Sequence, residues 1–262
     1  IETMANDHLT DEVIQQAAQC DIVAFAAHPD DVELNCAGTL ALAVKQGRSA
    51  GIVDFCRGEL GTRGTPEIRD EEAARSAKVL GLSSRINLRL PDGSIRDTDE
   101  SRALVVRTLR RMRPQVVIAP SLTDHHADHM AVAEILQRSF YLAGVAKYAP
   151  GDPAWRPRAL LHYCGSAMTT PSIVVDISAV YQQRVDAALC YESQFYNAAS
   201  SEPSTRIAHP DFLDAIEGRA RHFGMTIGVK YGEGYTMREP IPITDLVGLL
   251  GTEPWTTPGE KS

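Results

Sequence analysis

Residues Ile22 to Ala27 read Ile-Val-Ala-Phe-Ala-Ala, an unbroken apolar run of strand length. A strand without a polar side has to be covered on both faces, which places it inside a parallel sheet. Helices and strands then alternate along the chain. A helical pattern over 36–46 stops at Gly47, and a second strand reads 50–56. A Gly-rich polar loop over 57–66 leads into a helix over 67–80, which Gly81 closes as a C-cap. A short strand over 85–90 ends at Pro91-Asp92-Gly93, a turn signal. A helix over 101–112, a strand over 116–119 and a helix over 128–142 come next. This alternation with short connections predicts an α/β fold, a Rossmann-like, mostly parallel sheet with helices on both faces.

Strands over 160–164 and 173–176 and helices over 179–191 and 211–223 extend the pattern. Segment 197–205 has no periodicity and reads as a mobile surface loop. The apolar stretch 241–250 is expected to cover either an interface or the core. Nothing in the chain reads as a repeat or a linker, so 1–262 is taken as a single domain, with 1–20 as an N-terminal extension. Ile1-Glu2-Thr3 ahead of Met4 reads as a tag remnant and not as part of the fold.

A formal net charge of −8 disfavours nucleic acid, whose phosphates an acidic surface repels. It leaves room for a local cationic pocket. No apolar run approaches the roughly 18 residues of a membrane span, and the polar start does not read as a signal peptide. Five cysteines without a Cys-x-x-Cys pair indicate neither a disulfide framework nor a thiolate zinc site. Together these features predict a cytoplasmic protein with no membrane partner.

Hydrolytic side chains concentrate in two segments. One is His28-Pro29-Asp30-Asp31-Val32-Glu33, and the other is Thr123-Asp124-His125-His126-Ala127-Asp128-His129. Each comes after a predicted parallel strand, so both fall at the carboxyl edge of the sheet, where open α/β sheets bind ligands. A catalytic zinc takes three nitrogen or oxygen ligands and keeps one position open. His28, Asp31 and His129 supply such a set. Asp30 stands beside them as a base for water. His126, three residues before His129, is placed to donate to an oxyanion or to protonate a leaving amine. Asp128 is placed to hold one of the imidazoles in its tautomer. His125 reads as a structural or rim residue, and His8, His162, His209 and His222 as ordinary ones.

The first segment resembles the strand and Ala-His-Pro-Asp-Asp signature of the PIG-L/LmbE-like deacetylases. The second resembles that family's His-Pro-Asp-His motif, with Ala127 in place of the proline. Residues 58–65 and 67–73 are similar to its substrate loop and helix, and 87–93 to its next strand and turn. Tyr191-Glu192-Ser193-Gln194-Phe195 and Tyr231-Gly232-Glu233-Gly234-Tyr235 resemble its bacillithiol-pathway branch. The resemblance implies the LmbE-like fold and a zinc-dependent N-deacetylase acting on an N-acetylglucosaminyl substrate, above all N-acetylglucosaminyl malate. It implies His28, Asp31 and His129 as zinc ligands, Asp30 as base, His126 with Asp128 as its carboxylate partner, and Arg69 and Tyr231 at the substrate. It also implies a homo-oligomer, up to a hexamer. Arg57, Glu59 and Arg63 are loop residues without an assigned role.

Other readings stay open on the sequence. The substrate is alternatively a mycothiol precursor, N-acetylglucosamine or a chitooligosaccharide, and Fe(II) fits the same ligands as zinc. A metal-dependent sugar-binding protein has no need of Asp30 and His126. A nucleotide binder is disfavoured, because the first turn carries His-Pro-Asp-Asp and no Gly-x-Gly-x-x-Gly.

Overall fold

The computed structural model describes residues 10–165 and 168–250. Residues 10–16 form helix α1. The first half continues with β1 (Ile22–Ala26), α2 (Asp31–Asn35), α3 (Ala37–Lys45), β2 (Ala50–Asp54), α4 (Pro66–Leu80), β3 (Ser84–Asn87), α5 (Asp99–Met112), β4 (Val116–Ala119) and α6 (Ala127–Leu142). The second half holds β5 (Ala159–Tyr163), β6 (Ile173–Asp176), α7 (Tyr181–Leu189), α8 (Phe212–Thr226), β7 (Gly232–Met237) and α9 (Leu246–Leu250). One seven-stranded sheet runs in the order β3-β2-β1-β4-β5-β7-β6. Its first five strands are parallel, and β7 pairs antiparallel with both β5 and β6. The expected α/β fold is therefore present, in its mostly parallel form.

Each face of the sheet has its own core. On one side Phe25, Phe55 and Val117 pack with Leu109 and Met112 of α5 and Leu136 of α6. Ile14, Ala17 and Cys20 join that side, so residues 10–20 are part of the fold and not an appendage to it. On the other side Ala24, Ala26 and Ile118 pack against Leu40 of α3, Ala187 of α7 and Ala220 of α8. β1 and β2 are buried nearly throughout, as apolar runs without a polar face require.

β7 is the element that the sequence pattern conceals. Two glycines in six residues argue against a strand. Here they let α8 lie close: a Cβ on Gly234 would meet the Phe223 ring at 3.0 Å, and one on Gly232 the Gly224 nitrogen at 2.8 Å. Glu233, between them, points to the buried start of α3. Its carboxylate accepts from the Gly38 and Thr39 backbone N–H groups (2.9 and 2.7 Å) and from the Thr39 hydroxyl (2.7 Å). Arg184 of α7 pairs with it at 3.2 Å. A strand near the end of the chain thus caps a helix near its beginning.

Segment 197–205 is tied down. Glu202 accepts from the Gly64 backbone at 3.0 Å, and the Pro203 carbonyl accepts from Arg63 at 3.3 Å. The apolar side chains at Ile241, Ile243, Leu246, Val247 and Leu249 are exposed and do not cover the core. No helix of the described residues is long and apolar enough to cross a membrane.

Glu233→Ala removes the cap and leaves Arg184 buried without its counter-charge. It is expected to cost about 3–5 kcal/mol of stability, read as a lower urea midpoint of unfolding.

Candidate active site

The order 3-2-1-4-5 reverses direction between β1 and β4, and a crevice opens beyond their carboxyl ends. His28 lies just past β1. The turn after it is closed by its own acid: the Asp31 carboxylate accepts from the His28 N–H at 2.9 Å. Asp30 sits at the apex with φ 110°, a backbone conformation that disfavours a side chain and is tolerated where surroundings hold it. Arg69 of α4 supplies that hold, donating to the Pro29 carbonyl and to the Asp30 carboxylate, the latter at 3.0 Å.

The second motif comes directly after β4. Asp124 accepts from the His126 backbone at 3.0 Å. The His126 Nδ1 accepts from the Asp128 N–H at 3.3 Å, capping α6. With Nδ1 accepting, the neutral ring carries its proton on Nε2 as a donor. One turn on, His129 reaches back across the crevice.

His28, Asp31 and His129 come together. Asp31 Oδ1 lies 3.1 Å from His129 Nε2, and Asp31 Oδ2 lies 3.5 Å from His28 Nδ1. The far nitrogen of each ring faces another carboxylate. His28 Nε2 is 3.1 Å from Asp92, and His129 Nδ1 is 3.2 Å from Asp124. His126 stacks on His129 at 4.8 Å and meets His28 edge-on at 4.7 Å. The nitrogens of His28, His126 and His129 lie within 4.8 Å of one another, a second possible ligand set that shares two members with the first.

These residues fit a divalent cation. Ligating histidines turn their second nitrogen to a carboxylate, as both rings do here. The charges agree. Burial pushes His28 and His129 down, yet the facing carboxylates outweigh it, taking His28 well up and His129 to about 10. Burial raises Asp31, but His129 and His28 hold it well below the usual carboxylate range. The hydrogen bond with His28 draws Asp92 down to about 2. A group of acids that keeps two imidazoles protonated is one in which a cation replaces protons. His126 differs: burial and the two neighbouring rings lower it, so it stays neutral. Burial lifts Asp30, Arg69 pulls it back, and the outcome is a carboxyl near 7.

Asp128 faces one of the imidazoles, that of His28 and not that of His126. Its carboxylate accepts from Gly93 at 2.8 Å and lies 3.6 Å from His28 Nε2, and it makes no ion pair with the His126 ring. The shorter contacts behind the imidazoles are made by Asp92 and Asp124, to which the sequence assigns no role. Pro-Asp-Gly reads as a turn, and that turn hid Asp92. Arg69 lines the cavity, but Asp30 and Pro29 occupy its guanidinium. Tyr231 does not line it. Its ring stacks on Tyr181 at 3.7 Å and its hydroxyl bonds Glu217 at 3.0 Å.

The cavity measures about 620 Å³. His125 stands exposed at its rim, 3.0 Å from Asp124. Buried His162 bonds the Pro120 carbonyl at 2.7 Å, an ordinary structural histidine, while His209 and His222 are exposed and His8 lies outside the described residues. Arg57 pairs with Asp70 at 2.6 Å, Glu59 accepts from the Asp92 N–H at 2.9 Å, and Arg63 donates to the Ser193 carbonyl at 2.9 Å. All three brace the loop. Tyr191-Glu192-Ser193-Gln194-Phe195 is a brace as well: Ser193 bonds buried Glu72 through its N–H and hydroxyl (2.7 and 2.8 Å), and Tyr191 bonds Glu33 at 3.1 Å.

The sequence model of the PIG-L family, GlcNAc-PI de-N-acetylase, matches residues 23–140, the stretch that contains both motifs. The solved structure of the conserved protein TT1542 from Thermus thermophilus is similar over 86% of this chain and 98% of that one, with 38% identity and a TM-score of 0.79. The chain belongs to the PIG-L family. Among relatives, the diacetylchitobiose deacetylase of Thermococcus kodakarensis is 26% identical over 81% of either chain. The 1D-myo-inositol 2-acetamido-2-deoxy-alpha-D-glucopyranoside deacetylase of Streptomyces avermitilis is 27% identical over 73% of this chain and 70% of its own. This PIG-L member is a deacetylase.

Asp124→Asn removes the negative charge behind His129 without touching a ligand. It is expected to weaken divalent-cation binding about 10- to 100-fold in competition with a chelator, with the unfolding midpoint of the metal-free protein nearly unchanged.

Proposed function

We propose that the protein hydrolyses the acetamide of an N-acetylglucosaminyl substrate with zinc held by His28, Asp31 and His129, and that the substrate is N-acetylglucosaminyl malate of bacillithiol synthesis. The observation that carries this reading is the convergence of two carboxylate-backed imidazoles on Asp31, with Asp30 next to them in the same cavity. The relatives support the sugar half of the reading, since two of them are named for deacetylating glucosamine-containing compounds. Asp31 is preferred to His126 as third ligand because its carboxylate lies within 3.5 Å of both rings and offsets cationic charge. His126 already spends one nitrogen on the helix cap.

A divalent cation supplies Lewis acidity to the amide carbonyl and acidifies water. Asp30 takes the proton from the water that attacks the acetyl carbon, a task suited to a carboxyl near 7. His126 donates a hydrogen bond from Nε2 to the developing oxyanion, and Asp30, carrying the proton taken from water, returns it to the departing amine. Asp92 and Asp124 fix the orientation of His28 and His129. Arg69 keeps Asp30 in place and tunes it. Asp128 holds the Gly93 turn that carries Asp92. The exposed apolar side chains of 241–249 support self-association of the chain.

The direct test is amine release from N-acetylglucosaminyl malate, N-acetylglucosamine and the mycothiol precursor by metal-stripped and zinc-restored protein. Zinc-dependent turnover led by the malate glycoside is expected; a zinc-loaded protein inert on all three would overturn the reading. Asp30→Asn is expected to lower kcat about 10²- to 10⁴-fold with zinc stoichiometry unchanged. Arg69→Gln removes the cation that favours the charged carboxylate, so the Asp30 pKa rises and the base form is lost at higher pH. The acid limb of kcat/KM then moves to higher pH, and a limb left in place would show that Arg69 does not tune Asp30.

A further inference from the structure

The cavity wall carries both signs of charge. Asp30, Asp31, Asp92 and Asp124 supply the negative. Arg206 and Arg219 line another part of the wall, on α8 and the segment leading into it. In a chain with a net charge of −8, two unneutralised guanidinium groups facing one cavity call for a reason. Among the described residues, neither has a carboxylate within the 4.0 Å of an ion pair. The other cavity arginine, Arg69, already has Asp30.

Arg219 is held in place. It donates to the Leu34 carbonyl near the end of α2, which also accepts from Arg184 at 2.6 Å. The nearby acid, Glu233, is committed to the start of α3 and to Arg184. Burial lowers the Arg219 pKa to about 10, and Arg184 and Arg206 add to the fall. A half-buried cation pressed by two others is a site that an anion relieves, and guanidinium groups grip oxyanions through paired N–H donors.

Resting on the deacetylase reading above, we propose that Arg206 and Arg219 form an oxyanion subsite that binds a carboxylate or phosphate on the aglycone of the sugar while its acetamide faces Asp30 and the histidines. Substrate selection is thus a matter of charge on the cavity wall beside the catalytic groups. Neutral sugars reach the same catalytic groups without this grip. Phe212, Ile207 and Ile216 line the cavity near the two arginines and strengthen the contact by excluding water.

The test uses zinc-loaded wild type, Arg206→Ala and Arg219→Lys. Arg206 is exposed, so its truncation leaves the core intact, and Arg219→Lys keeps a cation able to reach the Leu34 carbonyl. Initial rates are measured on N-acetylglucosaminyl malate and on the neutral methyl glycoside of N-acetylglucosamine. Both variants are expected to lose about 10-fold or more in kcat/KM on the malate glycoside, mainly through KM. The neutral glycoside is expected to change less than about 2-fold. Equal losses on both substrates, or a wild type that does not prefer the anionic one, overturn the subsite.

Thermal shifts by free malate and by inorganic phosphate give a readout that needs no turnover. Both should stabilise wild type more than either variant, and the larger variant-sensitive shift tells carboxylate from phosphate. Shifts that are the same in wild type and variants, or absent from wild type, overturn the subsite. Arginine-dependent shifts with neither glycoside hydrolysed overturn the deacetylase reading and leave the subsite standing.

Discussion

The parallel pairing of β1 with β4 is the contact on which the site depends. Ile22 lies opposite Val116 and Ala24 opposite Ile118, so the two strands end side by side and pointing the same way. His28 leaves one and the Asp124–His129 segment leaves the other. A slip of register would move every side chain of β4 to the opposite face and expose one of the two cores. The burial that fixes the register is thereby also what brings two histidines, about a hundred residues apart in sequence, to one carboxylate.

Beneath the crevice lies a second layer of charge that takes no part in the chemistry. Arg85 of β3 makes two hydrogen bonds to Asp54 (2.8 and 3.0 Å) and one to Glu33 (2.5 Å). Glu33 also accepts from Ser76 at 2.5 Å and from Tyr191. Burial makes such a set costly unless nearly every donor and acceptor is used. Its effect is positional: it joins α2, which carries Asp31, to β2, β3, α4 and the Tyr191 turn. The acids at the surface of the crevice hold protons and ligands, while those below it hold the backbone.

The convergence of the two motifs was legible because its signals are local. An apolar strand followed by His-Pro-Asp-Asp, and another followed by three histidines in five residues, need only the rule for where α/β sheets bind ligands. What escaped was whatever depends on contacts between distant segments. Asp92 reads as turn chemistry until the fold sets it against His28. Asp128 reads as the natural partner of His126 until Gly93 claims its carboxylate. Tyr231 carries a motif-like context, yet β7 delivers it to Tyr181 and not to the cavity. β7 itself went unseen because its glycines serve the approach of α8 rather than strand propensity. Arg206 and Arg219 look like ordinary surface charge on a helix and its lead-in, and only the fold shows that both line the cavity without an ion-pair partner among the described residues.

The carboxylate of Glu233 sits so close to α3 that a Cβ on Gly38 would lie 2.8 Å from its Oε1 and 2.9 Å from Ile177. Positions 38 and 233 therefore cannot vary independently. A sequence with a side chain at 38 has to shorten or remove the acid at 233, and one that removes the acid has to neutralise or replace Arg184 in the same step. Three positions spread across most of the chain thus behave as one inherited character, and a single substitution at any of them leaves the other two mismatched.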